Sequence, residues 1–384
     1  MRIVRSKTCA AAKIDPFLTI LVVSLFLIGL LMVTSASIGI AESRYHAPFY
    51  FAIQQTLSLG VGIGFAILIA CVPFDYWQKI SPMFLLVCVI LLAALFIPGL
   101  GREVNGSKRW LNLGFFSFQV SEMTKLALIL YLSGYLVRHR ESIQHSIVAT
   151  LKILMVLGVI AVLLILEPDF GSTVVMMTTA MGMLFLGGVP LRIFVSFAVL
   201  VGGALAWLAV SAPYRLQRLT SFLDPWADQY ASGYQLTQAL IAFGRGEWFG
   251  VGLGSSIQKL FYLPEAHTDF IFAVLAEEFG LVGAIGVVLL LALVAGRAMW
   301  IGLIAQKRHD YFHALFAFGI ALWIGIQTLI NVGVNTGLLP TKGLTLPFLS
   351  YGRTSTVVLC MALGMLFRVD YENRQDPPIG RVKP

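Results

Sequence analysis

The sequence predicts an all-α polytopic membrane protein of about ten transmembrane helices, with a large structured extracytoplasmic loop between helices 7 and 8. Two observations predict it. Of 384 residues, 58% are hydrophobic and only 12% charged, with a mean hydropathy of +0.86. Apolar blocks approaching the ~20 residues that cross a bilayer core also recur along the whole length. They fall near residues 16–38, 49–70, 81–98, 121–137, 149–166, 170–187, 191–212, 269–297, 311–334 and 345–368. The first is too long for a cleavable signal and opens a series of further spans. Residues 1–15 and 369–384 read as short cytoplasmic tails, so one integral membrane domain, 16–368, accounts for nearly everything.

Orientation follows from the bias of Lys and Arg toward cytoplasmic segments. With the N-terminus inside, interior segments collect most basic residues, including Lys13, Lys79, Arg138, Arg140, Arg297, Lys307 and Arg374. The exceptions cluster in the two longest exterior loops. Arg102, Lys108 and Arg109 share one, and Arg215, Arg218, Arg245 and Lys259 share the other, residues 213–268. Basic residues held there suit an anionic ligand, although long loops also cross membranes regardless of charge. The net charge of +8 is thus explained by topology, and no nucleic-acid module is visible. The four cysteines lack CxxC spacing, which supports neither a disulfide framework nor a zinc site. Without a GxxxxGK[ST] loop the chain is expected to use no nucleotide, so a substrate must arrive activated.

The large loop carries YQLTQALIAF from Tyr234, an amphipathic helix, then closely spaced glycines from Gly244 to Gly254, which permit tight turns or an anion-binding nest. Asp269 opens the eighth block, where two readings stand. It is either an N-cap, or a base poised between the helix dipole, which favours carboxylate, and a low-dielectric surface, which favours the acid. His267 and Asp269 form a weak divalent-cation motif, with substrate oxygens completing the shell. Glu277 and Glu278 read as structural partners for nearby cations. Glu122 and Lys125, three residues apart, share one face of the fourth helix and are expected to pair toward a cavity. Just before them, Trp110 suits the membrane interface and Lys108 and Arg109 suit phosphate. Glu167-Pro168-Asp169 joins two spans by a minimal break, and residues 339–353 form an interrupted span that must line protein or water.

These segments together resemble the SEDS family (shape, elongation, division and sporulation), and within it the cell-division branch. The resemblance runs from about Asp15 to Tyr371. It rests on VTSAS from Val33, KRWLNLG from Lys108, PYRLQRLTSFLDPW from Pro213, the run from Ser232 through LPEAHTDF to Glu278, and LLPTKGLTLPFLSYG from Leu338. It implies a glycosyltransferase of the bacterial inner membrane, active on the periplasmic side at the division septum. Lipid II, the undecaprenyl-diphosphate-linked disaccharide-pentapeptide, would be its substrate, and a class B penicillin-binding protein and other divisome membrane proteins its partners. The resemblance makes Asp269 the catalytic residue and places Glu122 and Lys125 in the same cavity. Lys108, Arg109, Trp110, Arg215, Arg218, Lys259 and His267 are the candidate substrate-binding residues, and a divalent cation, magnesium or manganese, is the candidate cofactor. The chain departs from the family pattern at Val120, Glu167 and Arg353. A lipid II flippase or a structural divisome scaffold are the competing readings.

Overall fold

A computed structural model describes residues 14–104, 107–112, 117–145, 147–210, 222–231, 233–341 and 343–375. The chain is a multi-pass helical bundle. In order its helices are α1 (Pro16–Tyr45), α2 (Tyr50–Ala70), α3 (Phe74–Ala94), α4 (Val120–Arg138), α5 (Arg140–His145) and α6 (Ile147–Leu166). They continue with α7 (Phe170–Leu186), α8 (Leu191–Val210), α9 (Tyr234–Gly246), α10 (Ile271–Lys307), α11 (Tyr311–Asn335) and α12 (Arg353–Gln375). Seven of them are long and apolar enough to cross a membrane, namely α1 to α4 and α10 to α12, and α6, α7 and α8 supply three shorter apolar helices. Each predicted block holds one of these ten.

Boundaries moved where local chemistry overrides the apolar count. α3 starts at Phe74, ahead of the predicted residue 81, and carries Pro82 inside it, which membrane helices tolerate when neighbours satisfy the freed backbone. α12 starts only at Arg353, so residues 345–352 line the bundle as non-helical chain. It then continues to Gln375, which makes residues 369–375 part of the membrane domain rather than a tail. The cause is burial of polar side chains in ion pairs. Glu372 takes Arg368 at 2.6 Å, His313 at 2.7 Å and the Phe74 N–H at 3.1 Å. Arg374 bridges Asp370 at 2.7 Å and Asp15 at 3.4 Å, and Asp15, which caps α1, also takes Arg297 at 2.7 Å.

The loop between α3 and α4 is not irregular. Strands β1 (Gly101–Val104), β2 (Ser107–Asn112) and β3 (Ser117–Gln119) form an antiparallel sheet in the order β1-β2-β3. Val104 pairs with Ser107, and the two residues between them are Asn-Gly, the strongest short-range hairpin signal. β3 runs directly into α4. Its Gln119 N–H donates to Thr354 at 3.2 Å, tying the sheet to the start of α12.

α4, α11 and α12 are largely buried, while α2 and α3 turn most of their surface outward. α11 packs against α4, α7 and α10, and α12 against α2. α11 is therefore the helix to which the candidate site is fixed.

Candidate active site

Asp269 lies between the large loop and α10. The N-cap of α10 is Phe270, and no side chain caps it, so Asp269 is not the helix cap that one reading of the sequence made it. Its main chain is held instead of its side chain. Asn331 and Asn335, one turn apart on α11, donate to the Asp269 carbonyl at 3.0 and 3.1 Å. Ser350 donates to the Thr268 carbonyl at 2.6 Å, and the Tyr351 N–H to the His267 carbonyl at 2.9 Å. Among the described residues none donates a hydrogen bond to the Asp269 carboxylate. Its Oδ2 sits so close over Gly343 that a Cβ there would lie 2.8 Å away. Burial pushes this carboxyl up to about 7, the negative charge of Glu265 and, more weakly, Asp169 raise it, and the Arg109 guanidinium opposes them. A carboxyl near neutrality with free lone pairs can accept a proton.

Arg109 reaches this site from β2 and donates to the Pro168 carbonyl of the α6–α7 turn. In that turn Asp169 caps α7 and accepts from Ser121 at 3.1 Å. Glu167 is buried, and among the described residues neither of its oxygens has a hydrogen-bond partner. Burial and the neighbouring Asp169 push it up to about 8, against the pull of Arg109. Lys108 has its backbone on β2, and its side chain lies outside the described residues. Trp110 is half-buried on the same strand, opposite Gln119.

Glu122 and Lys125 pair at 2.8 Å inside the bundle, both almost fully buried. Lys125 continues to Gln327 at 3.1 Å and lies over the Trp323 ring at 5.3 Å. Gln327 then donates to the Thr345 carbonyl at 2.8 Å, and Asn331 to the Leu344 carbonyl at 2.6 Å. A single polar stripe on α11, Trp323, Gln327, Asn331 and Asn335, thus connects the buried ion pair to residues 343–345 and on to Asp269. Sequence reading passed over this stripe, yet its signal is present: polar residues spaced by four along an otherwise apolar helix share one face.

Other candidates lie elsewhere. Lys259 pairs with Glu278 at 2.7 Å and donates to Ser35 at 2.9 Å, and Arg245 pairs with Glu277 at 2.8 Å. Both cations thus neutralise acids of α10, the structural role expected of Glu277 and Glu278. His267 is buried, with its ring 4.7 Å from Phe51 and 5.7 Å from Tyr351, and its Nδ1 has no partner among the described residues. Burial pulls its pKa below the ordinary value. Arg215 and Arg218 lie outside the described residues. The glycines after α9 make turns rather than a nest, because the Val251 and Gly252 N–H groups donate to the Glu277 and Glu278 carbonyls. Among the described residues no three His, Cys, Asp or Glu side chains converge as metal ligands. Asp269 alone does not make a resident cation site, which would depend on oxygens brought by substrate.

If the α11 stripe sets the height of Asp269, shortening it must act through position. Asn331→Ala is expected to lower activity about 10- to 100-fold while the protein stays folded, the size of effect that a small misplacement produces. Purified-variant kinetics beside a melting curve check this, and Asn331→Asp should not restore the rate because it removes the donor.

Residues 16–375 match the profile of a family of cell cycle proteins, FtsW, RodA and SpoVE. A Legionella pneumophila protein named "Probable peptidoglycan glycosyltransferase FtsW" is 54% identical over 360 residues, covering 94% of this chain and 91% of its own. A Coxiella burnetii protein of the same name is 49% identical, covering 96% and 99%. Among solved structures, a chain from a peptidoglycan synthase complex that coordinates polymerization and crosslinking superposes with a TM-score of 0.77 at 26% identity, covering 95% of this chain and all of that one. Thermus thermophilus RodA, a rod shape determining protein, superposes at 0.70 with 27% identity over 95% and 99%. With the profile spanning nearly the whole chain and identities near one half, this protein belongs to the FtsW/RodA/SpoVE family of cell cycle proteins.

Proposed function

We propose that this chain is a peptidoglycan glycosyltransferase of the bacterial inner membrane, which polymerises lipid II into septal glycan at its periplasmic face with Asp269 as general base. The observation that carries the reading is the Asp269 carboxyl itself: without a donor among the described residues, pushed up to about 7, with its carbonyl fixed by Asn331 and Asn335.

In the reaction the 4-hydroxyl of a GlcNAc attacks the anomeric carbon of a MurNAc diphosphate. A new C–O bond forms, the hydroxyl proton passes to Asp269, and the bond from the anomeric carbon to the diphosphate oxygen breaks with its electron pair leaving on the lipid diphosphate. Attack opposite the leaving group inverts α to β. Arg109 is the described cation whose field reaches Asp269, and with Lys108 it would offset charge on the departing diphosphate. Arg215 and Arg218 are further candidates for that role. Glu122 and Lys125, through Gln327, brace the main chain at Thr345 near Asp269. Magnesium or manganese, held by Asp269 together with oxygens of the substrate diphosphate, would supply Lewis-acid stabilisation of that diphosphate.

A class B penicillin-binding protein is the proposed partner. The support is the similarity to a chain of a complex that couples polymerization to crosslinking, and other divisome membrane proteins would recruit the pair to the septum. Incubating the reconstituted protein with lipid II, with and without the transpeptidase, tests the activity. Glycan polymer is expected. Lipid II moved across the bilayer without polymer would show a flippase, and neither product would show a scaffold.

The pH profile has a definite sign. Asp269 must be ionised to accept the proton, so with its carboxyl at about 7 the polymerisation rate is expected to fall as pH drops from 8 to 6, about tenfold per unit once below the pKa. Initial rates in buffered liposomes check this.

A further inference from the structure

We infer that residues 247–262, counted by sequence as extracytoplasmic loop, include an element buried in the acyl chains of the membrane leaflet at the Asp269 end of the bundle. The inference holds whichever reaction the chain performs.

Two helices act as rulers. The charged cluster of Asp15, Arg297, Asp370 and Arg374 fixes the opposite edge of the hydrocarbon, because groups so charged gather at an interface. On α1, Ser35 is ~30 Å from Asp15 at ~1.5 Å per residue, and on α10, Glu278 is ~28 Å from Arg297. Ser35 and Glu278 bond one another at 2.7 Å, so the rulers agree. Their level is ~30 Å above the charged edge, which is the thickness of the core.

The loop descends below that level. α10 breaks at Gly280, whose φ is +69°, and the chain after α9 fills the gap. The Leu281 N–H donates to the Glu247 carbonyl at 2.9 Å and the Val282 N–H to the Trp248 carbonyl at 3.1 Å. The approach is close enough that a Cβ on Gly280 would meet the Gly250 nitrogen at 2.4 Å, and a Cβ on Gly250 would meet the Glu278 carbonyl at 2.1 Å. Leu281 and Val282 lie ~22–24 Å from Arg297 along α10, inside the hydrocarbon. At that depth Trp248 is 66% and Phe249 83% exposed, beside Val282 and Ile285, which are 52% and 57% exposed on the lipid-facing side of α10. At this depth the surroundings of a membrane protein are lipid. Leu260, Phe261 and Tyr262, also exposed, lie higher, where Leu260 and Phe261 come within 4.0 Å of where a Cβ on Gly39 would sit. That is the interfacial level favoured by aromatic rings.

The pairs Lys259–Glu278 and Arg245–Glu277, whose carboxylates are both buried, bind this element to the first turns of α10. Lipid contact at Trp248 and Phe249 thereby sets the height of the half-helix that follows Asp269.

Site-directed spin labelling in nanodiscs tests the depth. In a background where Cys9 and Cys71 are serine, leaving the buried Cys88 and Cys360 in place, labels are attached at Phe249→Cys, Ile285→Cys and Ser43→Cys. Position 249 is expected to favour oxygen over nickel-EDDA as position 285 does, with position 43, ~42 Å from Asp15, showing the reverse. Nickel accessibility at 249 matching position 43 would overturn the inference, as would protection from both reagents, which would mean that protein rather than lipid covers the surface. The unlabelled protein gives a second reading. Lipids brominated near the glycerol end should quench native tryptophan fluorescence less in Trp248→Phe than in wild type, and equal quenching would count against the proposal.

Discussion

Replacing Asp269 with asparagine is expected to abolish glycan polymerisation, a loss of about 10²–10⁴-fold in rate, while making the protein more stable. Asparagine keeps the volume and the main-chain bonds to Asn331 and Asn335, but it cannot accept the proton of the attacking hydroxyl. The stability gain follows from linkage. A carboxyl at about 7 in the folded protein and near 3.9 when unfolded binds its proton more tightly in the folded state. Stability therefore falls as pH rises from about 4 to 7, and the full penalty stands above 7. Removing the charge at pH 8 should recover about 1–2 kcal/mol, discounted for the carboxylate's partial contact with solvent. Melting curves of wild type and variant at pH 8 and pH 5 check the sign, since the gap should shrink at the lower pH. A variant less stable than wild type at pH 8 would mean that the carboxylate is a structural ligand.

Lys125→Ala carries the largest stability cost. It leaves Glu122, which accepts at 2.8 Å from Lys125, as an uncompensated buried charge, and removes one of the two donors to the Gln327 Oε1, the other being the Trp323 indole N–H at 2.7 Å. Breaking such a pair from one side costs about 3–5 kcal/mol. Replacing both partners by similar-sized neutral residues, Glu122→Gln with Lys125→Met, should restore most of the loss, because no charge is then stranded. Thermal unfolding in detergent of the single and double variants checks this. Single and double variants that melt together would remove the ion pair as the cause. The double variant should polymerise more slowly than wild type, since Gln327, which donates to the Thr345 carbonyl, loses the Lys125 donor and is held at its Oε1 by Trp323.

The membrane helices were legible because lipid demands a long apolar run for each crossing, and tertiary contacts shift where such a run begins and ends rather than whether it exists. The ends were less so. At α12 the buried ion pairs of Arg368 and Glu372 carry helix past the apolar stretch, and hydropathy cannot register a polar group that finds its partner 59 residues away. The small sheet was missed although Asn105-Gly106 announces it, because composition had already assigned the class. Glu122 with Lys125 was readable from spacing alone, since both partners lie on one turn. The Asn331 and Asn335 contacts were not, because donors on α11 meet a carbonyl more than sixty residues earlier. Lys259 shows the converse. A cation in an exterior loop suits phosphate by charge, but the fold commits it to Glu278 and Ser35, a choice that depends on how the loop dips beside α1.

The role of Asp269 is tested most directly by presenting reconstituted Asp269→Asn protein with lipid II and the proposed class B penicillin-binding partner, then measuring bound lipid II and glycan polymer in the same sample. The expected result is lipid II bound within a few-fold of wild type with no polymer formed. Polymer appearing at the wild-type rate would contradict general-base catalysis by Asp269.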